Sequence, residues 1–459
     1  MTAEHTENQK AWSFPKTFWT ANVTELLERA AFYAMFISIS IYLSRVVGFD
    51  DKWAGIIGGL FSAGVYFLPT FAGALSDKMG FRPAMILAFG LQAISYFILG
   101  ALPYKPTVLP AFFLLMIGGA FIKSLITGTV AKSTNEQNRA RGYSIFYMIV
   151  NIGAFSGKTF AYPVRLELGL VYINYISAAL TFAALIAVFL FYKNVNTEGE
   201  GKTLQEVWDA FVKILKQPRL FILIFIVAGF WMIQHQMYAT MPKYVLRLVG
   251  ESAAPEWIAN VNPAVVMLFV VLITNLLRKK RAITSMTIGM FIMPFSAFFM
   301  ASGHLFENSM GNSVSLGLFS LHPVTFMMVV GIAFQGLAEC FISPRYLEYF
   351  SLQAPKGEEG LYLGFSHLHS FVANAIGFGI SGFLLDAYCP DPTKAEFANY
   401  TAAQMSALYD NAHYIWYVFA GIGFSSAVML IGYDFVTKYI DKKKGIERTK
   451  PIKMDGKAK

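Results

Sequence analysis

The chain is long and strongly apolar: its 459 residues are 56% hydrophobic and 14% charged, with a mean hydropathy of +0.50 and a net charge of +9. A soluble domain of this length does not need so apolar a composition, so we expect an all-α, polytopic membrane protein. Two cysteines, Cys340 and Cys389, exclude a disulfide framework, and their sequence context indicates no metal site.

The first apolar stretch carries three charged residues, Glu25, Glu28 and Arg29. An ionised group at the centre of a membrane helix costs about 2.5–3.5 kcal/mol, so the three must pair with one another or line a water-filled cavity. Glu25 and Arg29 are four residues apart, and Glu28 and Tyr33 lie on the same side of the helix. The stretch follows polar residues and lacks a small-residue cleavage site, so we expect a retained anchor rather than a cleaved signal peptide.

Apolar stretches of about twenty residues predict twelve membrane spans. Six precede a polar break, at 18–47, 53–75, 83–102, 109–131, 143–164 and 170–192. Six follow it, at 221–246, 261–277, 283–302, 324–341, 361–385 and 414–433. Within the break, residues 204–215 are predicted to form an amphipathic surface helix. We therefore expect a cytoplasmic segment 1–17, a six-helix bundle 18–192, a linker 193–217, a second six-helix bundle 218–437 and a basic tail 438–459.

Lysine and arginine are concentrated in alternate loops. They cluster at 78–82, 132–141, 202–216 and 278–281 and in the tail, whereas the opposite loops hold few. By the positive-inside rule both termini are expected in the cytoplasm, with the protein in the inner or plasma cell membrane. The net charge then reflects topology and attraction to anionic membrane lipids, and binding of nucleic acid is not expected.

The loop between the second and third spans, residues 73–83, reads Gly-Ala-Leu-Ser-Asp-Lys-Met-Gly-Phe-Arg-Pro. It resembles the loop signature of the major facilitator superfamily. The alternative is an ordinary polar turn, which does not require this spacing of Gly, Asp and Arg. The resemblance implies twelve transmembrane helices in two six-helix bundles that rock about a central cavity, in agreement with the predicted spans.

A narrower resemblance is to the proton-coupled oligopeptide transporters. Glu25-Leu-Leu-Glu28-Arg29 matches the E-x-x-E-R signature of that family's first helix. The other matching positions are Tyr66 and Pro69 in the second helix, Lys123 in the fourth, 146–155 in the fifth, 230–236 in the seventh, Asn262 and Pro263 in the eighth, and 336–344, which includes Glu339, in the tenth.

The resemblance implies a proton-driven symporter that imports di- or tripeptides, or peptide-like zwitterions, by alternating access. It assigns proton coupling to Glu25, Glu28, Arg29 and Lys123. It assigns substrate binding to Arg29, Tyr33, Tyr66, Lys123, Trp231, Gln236, Asn262 and Glu339. No cofactor, no metal and no covalent chemistry are expected, so the protein is not predicted to be an enzyme, and it is expected to be a monomer.

Two of these residues also stand out by their position in apolar spans. Lys123 has no acid near it in the sequence, so we expect it to pair with Glu25 or Glu28 and to be released when the acid is protonated. The alternative is a static tie between helices. Glu339 suits a substrate ammonium group, and the alternative is a structural partner of His235 or His367.

Several positions depart from the family pattern. The second arginine of the first helix is absent, which weakens the predicted carboxylate-binding side, and His235 stands where the seventh helix of the family has an acid. Lys158 is expected to snorkel to the outer membrane interface. His367 and His369 are expected mainly to pack, with proton relay open for one of them, because residues two apart point to different sides of a helix.

Two further functional hypotheses stay open. One is a proton-coupled antiporter of the same fold that exports a cationic or lipophilic compound, with Glu339 as the cation site. The other is a membrane receptor that kept the fold without transporting. The expected partners of the favoured hypothesis are a small peptide or peptide-like substrate, protons and membrane lipids.

Overall fold

The computed structural model describes residues 13–135, 138–193, 203–251, 253–277, 279–310, 313–315, 317, 320–353 and 359–443. Most of the expected N-terminal cytoplasmic segment, the first half of the expected linker and most of the basic tail lie outside the described residues. Within the described residues the chain is almost entirely helical, with one short hairpin. The prediction of an all-α membrane protein is confirmed.

The helices of the first half follow the predicted spans closely. They are α1 (Lys16–Ile41, continued by a π-helical turn Tyr42–Val46), α2 (Asp51–Phe67), α3 (Pro69–Met79), α4 (Phe81–Ala101), α5 (Lys105–Lys132), α6 (Arg139–Glu167), α7 (Leu170–Phe191) and α8 (Leu204–Leu215). The predicted amphipathic helix at 204–215 is therefore confirmed as α8.

The second half has shorter helices between the long ones. They are α9 (Pro218–Gln234), α10 (Gln236–Ala239), α11 (Met241–Leu248), α12 (Pro255–Ile258), α13 (Val261–Leu277), α14 (Ala282–Met310), α15 (Pro323–Gln353), α16 (Glu359–Ser366), α17 (Leu368–Tyr388), α18 (Ala402–Ala407) and α19 (Tyr414–Lys443), with a 3₁₀ turn at Ala395–Phe397. Strands β1 (Val314–Ser315) and β2 (Ser320–Leu321) pair antiparallel between α14 and α15.

Ten helices in the described part of the chain are long and apolar enough to cross a membrane, and α2 with α3 makes an eleventh span if the bent pair is counted as one. The bend is 48° and falls at Pro69, which has no backbone N–H to continue the helical hydrogen bonds. The predicted fifth span lies in the 29-residue helix α6, which is less apolar because it carries Lys158 and Arg165.

Two predicted continuous spans are interrupted. The seventh breaks at His235 and again at Thr240, just before α11, which carries Pro242 in its first turn. The eleventh breaks at His367, between α16 and α17. Hydropathy sums the apolar character of a stretch and does not register where its helical hydrogen bonds stop, so the break in the eleventh span was not predicted.

The chain forms two compact units. Unit 1 comprises Met1–Ala210 and Ala254–Asn260, and unit 2 comprises Phe211–Ala253 and Val261–Lys459. In unit 1, α4 packs on α5 and α7, and α1 packs on α6 and α7. In unit 2, α14 packs on α15 and α19, and α9 packs on α17 and α19.

Glycines set the close crossing of α1 and α6 in unit 1. A Cβ on Gly153 would lie 2.7 Å from the Cβ of Arg29, and a Cβ on Gly157 would collide with the backbone at Ala30. Small residues four apart let two membrane helices approach to backbone contact. Arg29 on α1 and Lys158 on α6 both lie beside this crossing.

Candidate functional site

The charged residues of α1 form one compact cluster. The Nε of Arg29 donates to Oε2 of Glu28 at 2.5 Å and lies 3.3 Å from Oε1 of Glu25. Glu25 and Glu28 are 4% and 1% exposed, and the guanidinium also lies over the Phe32 ring at 5.4 Å. The pairing of Glu25 with Arg29 predicted from their spacing is confirmed, and one guanidinium serves two carboxylates.

Gln92 on α4 distinguishes the two carboxylates. Its Nε2 donates to Oε1 of Glu28 at 3.0 Å, so Glu28 accepts from both Arg29 and Gln92. Oε2 of Glu25 is buried and has no hydrogen-bond partner within the described ranges. Glu28 is therefore the anchored carboxylate, and Glu25 has an oxygen that can hold a proton.

Lys123 on α5 is half-buried and lies over the ring of Tyr66, with Nζ 4.7 Å from the ring centroid. It interacts electrostatically with Arg29, Glu25 and Glu28, but in the part of the chain that the structure describes it makes no direct ion pair with either acid. The expected direct pairing is wrong in this conformation. Instead, Arg29 pairs with both carboxylates from their own helix.

Lys158 on α6 is 1% exposed, so the expectation that it snorkels to the membrane interface is wrong. Its Nζ donates to the carbonyl oxygen of Ala259 at 3.2 Å and lies 5.7 Å from the ring centroid of Tyr33. Its neighbour Gly157 sits at the close crossing with α1, which directs this part of α6 inward. Lys158 thus extends the charged face that begins at Glu25.

In unit 2 the acid Glu339 on α15 is held by amide groups. Its Oε2 accepts from Nε2 of Gln234 at 3.0 Å and from Nδ2 of Asn262 at 3.3 Å. Gln234 ends α9 and Asn262 begins α13, so the donors come from two other helices. Hydrogen bonds donated to a carboxylate stabilise its charged form.

Trp231 lies in a group of rings beside this acid-bearing helix. Its ring centroid is 5.6 Å from that of His235 and 5.1 Å from that of His369, which in turn is 4.9 Å from Tyr346. His369 is hydrogen-bonded to the carbonyl of Ser366 at 2.5 Å. No group of His, Cys, Asp and Glu among the described residues could hold a metal ion.

Gln236 is buried and bonded to the protein on both sides of its amide. Nε2 donates to the carbonyls of Met232 and Gly377, at 2.7 and 3.3 Å, and Oε1 accepts from Thr240 at 2.6 Å. These bonds join the interrupted seventh span to α17.

Two residues at these clusters, Gln92 and Gln234, were not assigned a role from the sequence, and the inward orientation of Lys158 was not predicted. A single glutamine in an apolar span is weak evidence of a functional site, because it belongs to no repeated pattern and has no charged partner nearby in the chain. A buried glutamine nevertheless needs hydrogen-bond partners, and this requirement was the available indication that each faces a polar group.

Comparison with known proteins fixes the family. The sequence model of the Major Facilitator Superfamily matches residues 23–314, more than half of the chain. The chain belongs to the Major Facilitator Superfamily. The predicted fold is thereby confirmed, and the protein is a multi-pass membrane transporter by family and by fold.

The chain is similar in sequence to proteins with two kinds of name. Multidrug resistance protein MdtH of Photorhabdus laumondii is 25% identical over 366 residues, which cover 79% of this chain and 84% of that protein. Dipeptide and tripeptide permease B of Xenorhabdus bovienii is 30% identical over 160 residues, which cover 34% of this chain and 33% of that protein.

Solved structures of peptide transporters share the fold. A peptide transporter POT in complex with sulfate matches with a TM-score of 0.73 and 18% identity, covering 95% of this chain and 99% of that one. At this identity the likeness concerns the fold.

Proposed function

We propose that the protein is a proton-coupled symporter that imports di- or tripeptides or peptide-like zwitterions. The observation that carries the proposal is the buried cluster of Glu25, Glu28 and Arg29, in which two carboxylates share one guanidinium. Such a cluster holds one negative charge in excess inside a membrane protein. A proton on one carboxylate removes that excess while the other carboxylate stays paired with Arg29, which is the property required of a coupling site.

Within this cluster we assign the transferred proton to Glu25. Glu28 is bonded to both Arg29 and Gln92, whereas Oε2 of Glu25 accepts no hydrogen bond from the described residues. Protonating Glu25 therefore breaks fewer interactions than protonating Glu28. It also weakens the attraction that the cluster exerts on Lys123, so the ammonium becomes more available to a substrate carboxylate.

A zwitterion needs a cation and an anion in the protein. We assign Arg29 and Lys123 to the substrate carboxylate and Glu339, whose charged form is stabilised by the amides of Gln234 and Asn262, to the substrate ammonium group. Tyr33, Tyr66 and Trp231 are half-buried aromatic residues that we assign to substrate contact. We propose that the protein is a monomer in the cell membrane. The distribution of lysine and arginine favours a cytoplasmic position for both termini.

The test is uptake of labelled dialanine into proteoliposomes under an inward proton gradient, for wild type, Glu25→Gln and Glu28→Gln. We expect wild type to accumulate dialanine and Glu25→Gln to lose accumulation while still exchanging internal for external dialanine, since a permanently neutral side chain needs no proton. Glu28→Gln is expected to impair exchange as well, because it weakens the contacts of this side chain with Arg29 and Gln92. Failure of folded wild type to take up dialanine would overturn the proposal.

A second candidate is proton-coupled export of a cationic or lipophilic compound. It is favoured by the relatives named MdtH, which align with more of this chain than the permease does. Glu339 would then bind the cation. Under the same inward gradient, efflux of preloaded labelled tetraphenylphosphonium without dialanine uptake would support this candidate. Dialanine uptake without proton-driven efflux of tetraphenylphosphonium would exclude it.

A further inference from the structure

A short segment of the chain packs apart from the helices that flank it. Residues Ala254–Asn260, which include α12, belong to unit 1, whereas α11 before them and α13 after them belong to unit 2. The segment packs on α6. It is thus held to one unit by contacts and to the other by its own backbone.

A buried ion pair fastens the segment to α6. The Nε of Arg165 lies 2.6 Å from Oε1 of Glu256 and its Nη2 lies 3.3 Å from Oε2, with side-chain exposures of 4% and 1%. Two-point contact of this kind fixes orientation as well as distance. Removing either side chain would take a charge-assisted contact out of a buried site.

Further polar contacts join the segment to α6. Nδ2 of Asn260 donates to Oγ1 of Thr159 at 2.9 Å and to the carbonyl of Phe155 at 3.3 Å. The indole of Trp257 donates to the carbonyl of Thr159 at 3.2 Å and packs on the ring of Tyr162. When the segment leaves α6, these polar contacts can be exchanged for contacts with water, which offsets part of the cost of release.

Lys158 lies under this segment. Its ammonium donates to the carbonyl of Ala259, and 1% of the residue is exposed. Burying a lysine ammonium in a membrane helix is costly, and such residues mark binding or transport sites more often than packing sites. The ammonium also lies 5.7 Å from the ring centroid of Tyr33, which is one turn beyond Arg29 on α1. Lys158 therefore extends the charged face that begins at Glu25.

We propose that residues 254–260 are a detachable cover, and that their release exposes Lys158 as a further cation for the carboxylate of the transported solute. The ligand class is a carboxylate-bearing solute, and this part of the inference rests on the proposed symport function. In the conformation described here the Ala259 carbonyl occupies the ammonium, and in the open conformation the substrate carboxylate replaces it.

The cover is tested first by chemical labelling, which depends on no transported solute. In a background with Cys340→Ser and Cys389→Ser, Lys158→Cys is labelled with N-ethylmaleimide, with and without Glu256→Gln. We expect the labelling rate to rise by about tenfold or more when Glu256 is neutralised, because the closed state loses its ion pair. Ala184→Cys, buried in α7, is the matched control and should label at an unchanged rate.

Two results would overturn the cover. One is an unchanged labelling rate at position 158 in Glu256→Gln. The other is an equal rise at positions 158 and 184, which would mean that the variant loosens unit 1 as a whole rather than opening one segment.

The role of Lys158 is tested by uptake of dialanine and by competition with its C-terminal amide, which lacks the carboxylate. We expect Lys158→Gln to raise the KM for dialanine by about tenfold or more and to leave competition by the amide unchanged, because the lost contact involves only the carboxylate. Lys158→Arg should restore most of the affinity.

Equal effects of Lys158→Gln on both compounds, or none, would contradict the assignment. If Lys158→Gln does not fold, Lys158→Met takes its place as the charge-removing variant, and an unchanged dialanine KM in folded Lys158→Met overturns the carboxylate role. If wild type takes up no dialanine, the symport proposal and the carboxylate role both fail, while the labelling experiment still decides the cover.

Discussion

The two units hold the acids of their apolar helices in different ways. In unit 1, Glu25 and Glu28 share the guanidinium of Arg29 on the same helix, whereas in unit 2, Glu339 accepts hydrogen bonds from amides on α9 and α13. A guanidinium shared by two acids tolerates the protonation of one of them. Neutral amide donors instead favour a carboxylate that stays charged.

This difference suits two tasks of a coupled transporter. A site that changes charge at low cost can carry the coupling proton, and a site that keeps its charge can hold a cationic group of the substrate. The comparison predicts that charge removal in unit 1 mainly affects stability and coupling, whereas charge removal in unit 2 mainly affects substrate affinity.

The largest effect is expected from Arg29→Met. It leaves two buried carboxylates without their cation, and we expect the free energy of unfolding to fall by about 3–5 kcal/mol. The measurement is the midpoint of thermal unfolding in detergent, with Arg29→Lys as the charge-conserving control. An unshifted midpoint in Arg29→Met would mean that the guanidinium does not stabilise the pair of acids. The proposed difference in how the two units hold their acids would then be wrong.

Glu339→Gln is expected to act on transport rather than on folding. Dialanine uptake should fall by about 30- to 100-fold, equivalent to about 2–3 kcal/mol, because a charged contact with the substrate ammonium is lost. The side-chain oxygen of glutamine still accepts from Gln234 and Asn262, so the unfolding midpoint should change little. Glu339→Asp keeps the charge and should retain part of the uptake; equal loss in both variants would argue against a charge-based role.

Gln92→Leu tests whether Glu28 is the anchored carboxylate. Losing the amide donor at 3.0 Å should lower the free energy of unfolding by about 1.5 kcal/mol, since the bond ends on a charged oxygen. Ser95→Ala, on the same helix, removes only a local bond to the Leu91 carbonyl and is the control. The distinction between Glu25 and Glu28 would be lost if Gln92→Leu unfolds at the same midpoint as Ser95→Ala.

The smallest effect is expected from Tyr66→Leu. The ring under the ammonium of Lys123 contributes about 0.5–1 kcal/mol through its quadrupole, so affinity for dialanine should change by only about two- to fivefold. Tyr66→Phe keeps the ring and should match wild type. A loss in Tyr66→Phe as large as in Tyr66→Leu would assign the effect to the hydroxyl group instead.

Some contacts of the site could be predicted from the sequence because they join residues close together in the chain. Glu25 and Arg29 are neighbours on any helix that contains them both, so their spacing alone predicted the contact that the structure shows. The position of Lys123 relative to Glu25 depends on how α5 and α1 are rotated about their axes. No spacing along the chain reports that rotation, and the expected direct pair was wrong.

By itself the sequence determined the membrane class, the location of the spans, the amphipathic helix α8 and the charged face of α1, because hydropathy and helical periodicity are properties of consecutive residues. The tertiary structure decided which acid Gln92 anchors, where the seventh and eleventh spans break, and that Lys158 is buried. These features depend on contacts between helices distant in sequence. Gly153 and Gly157 permit one such contact, because they let α6 approach the backbone of α1. A local pattern cannot encode the partner that such an approach brings into contact.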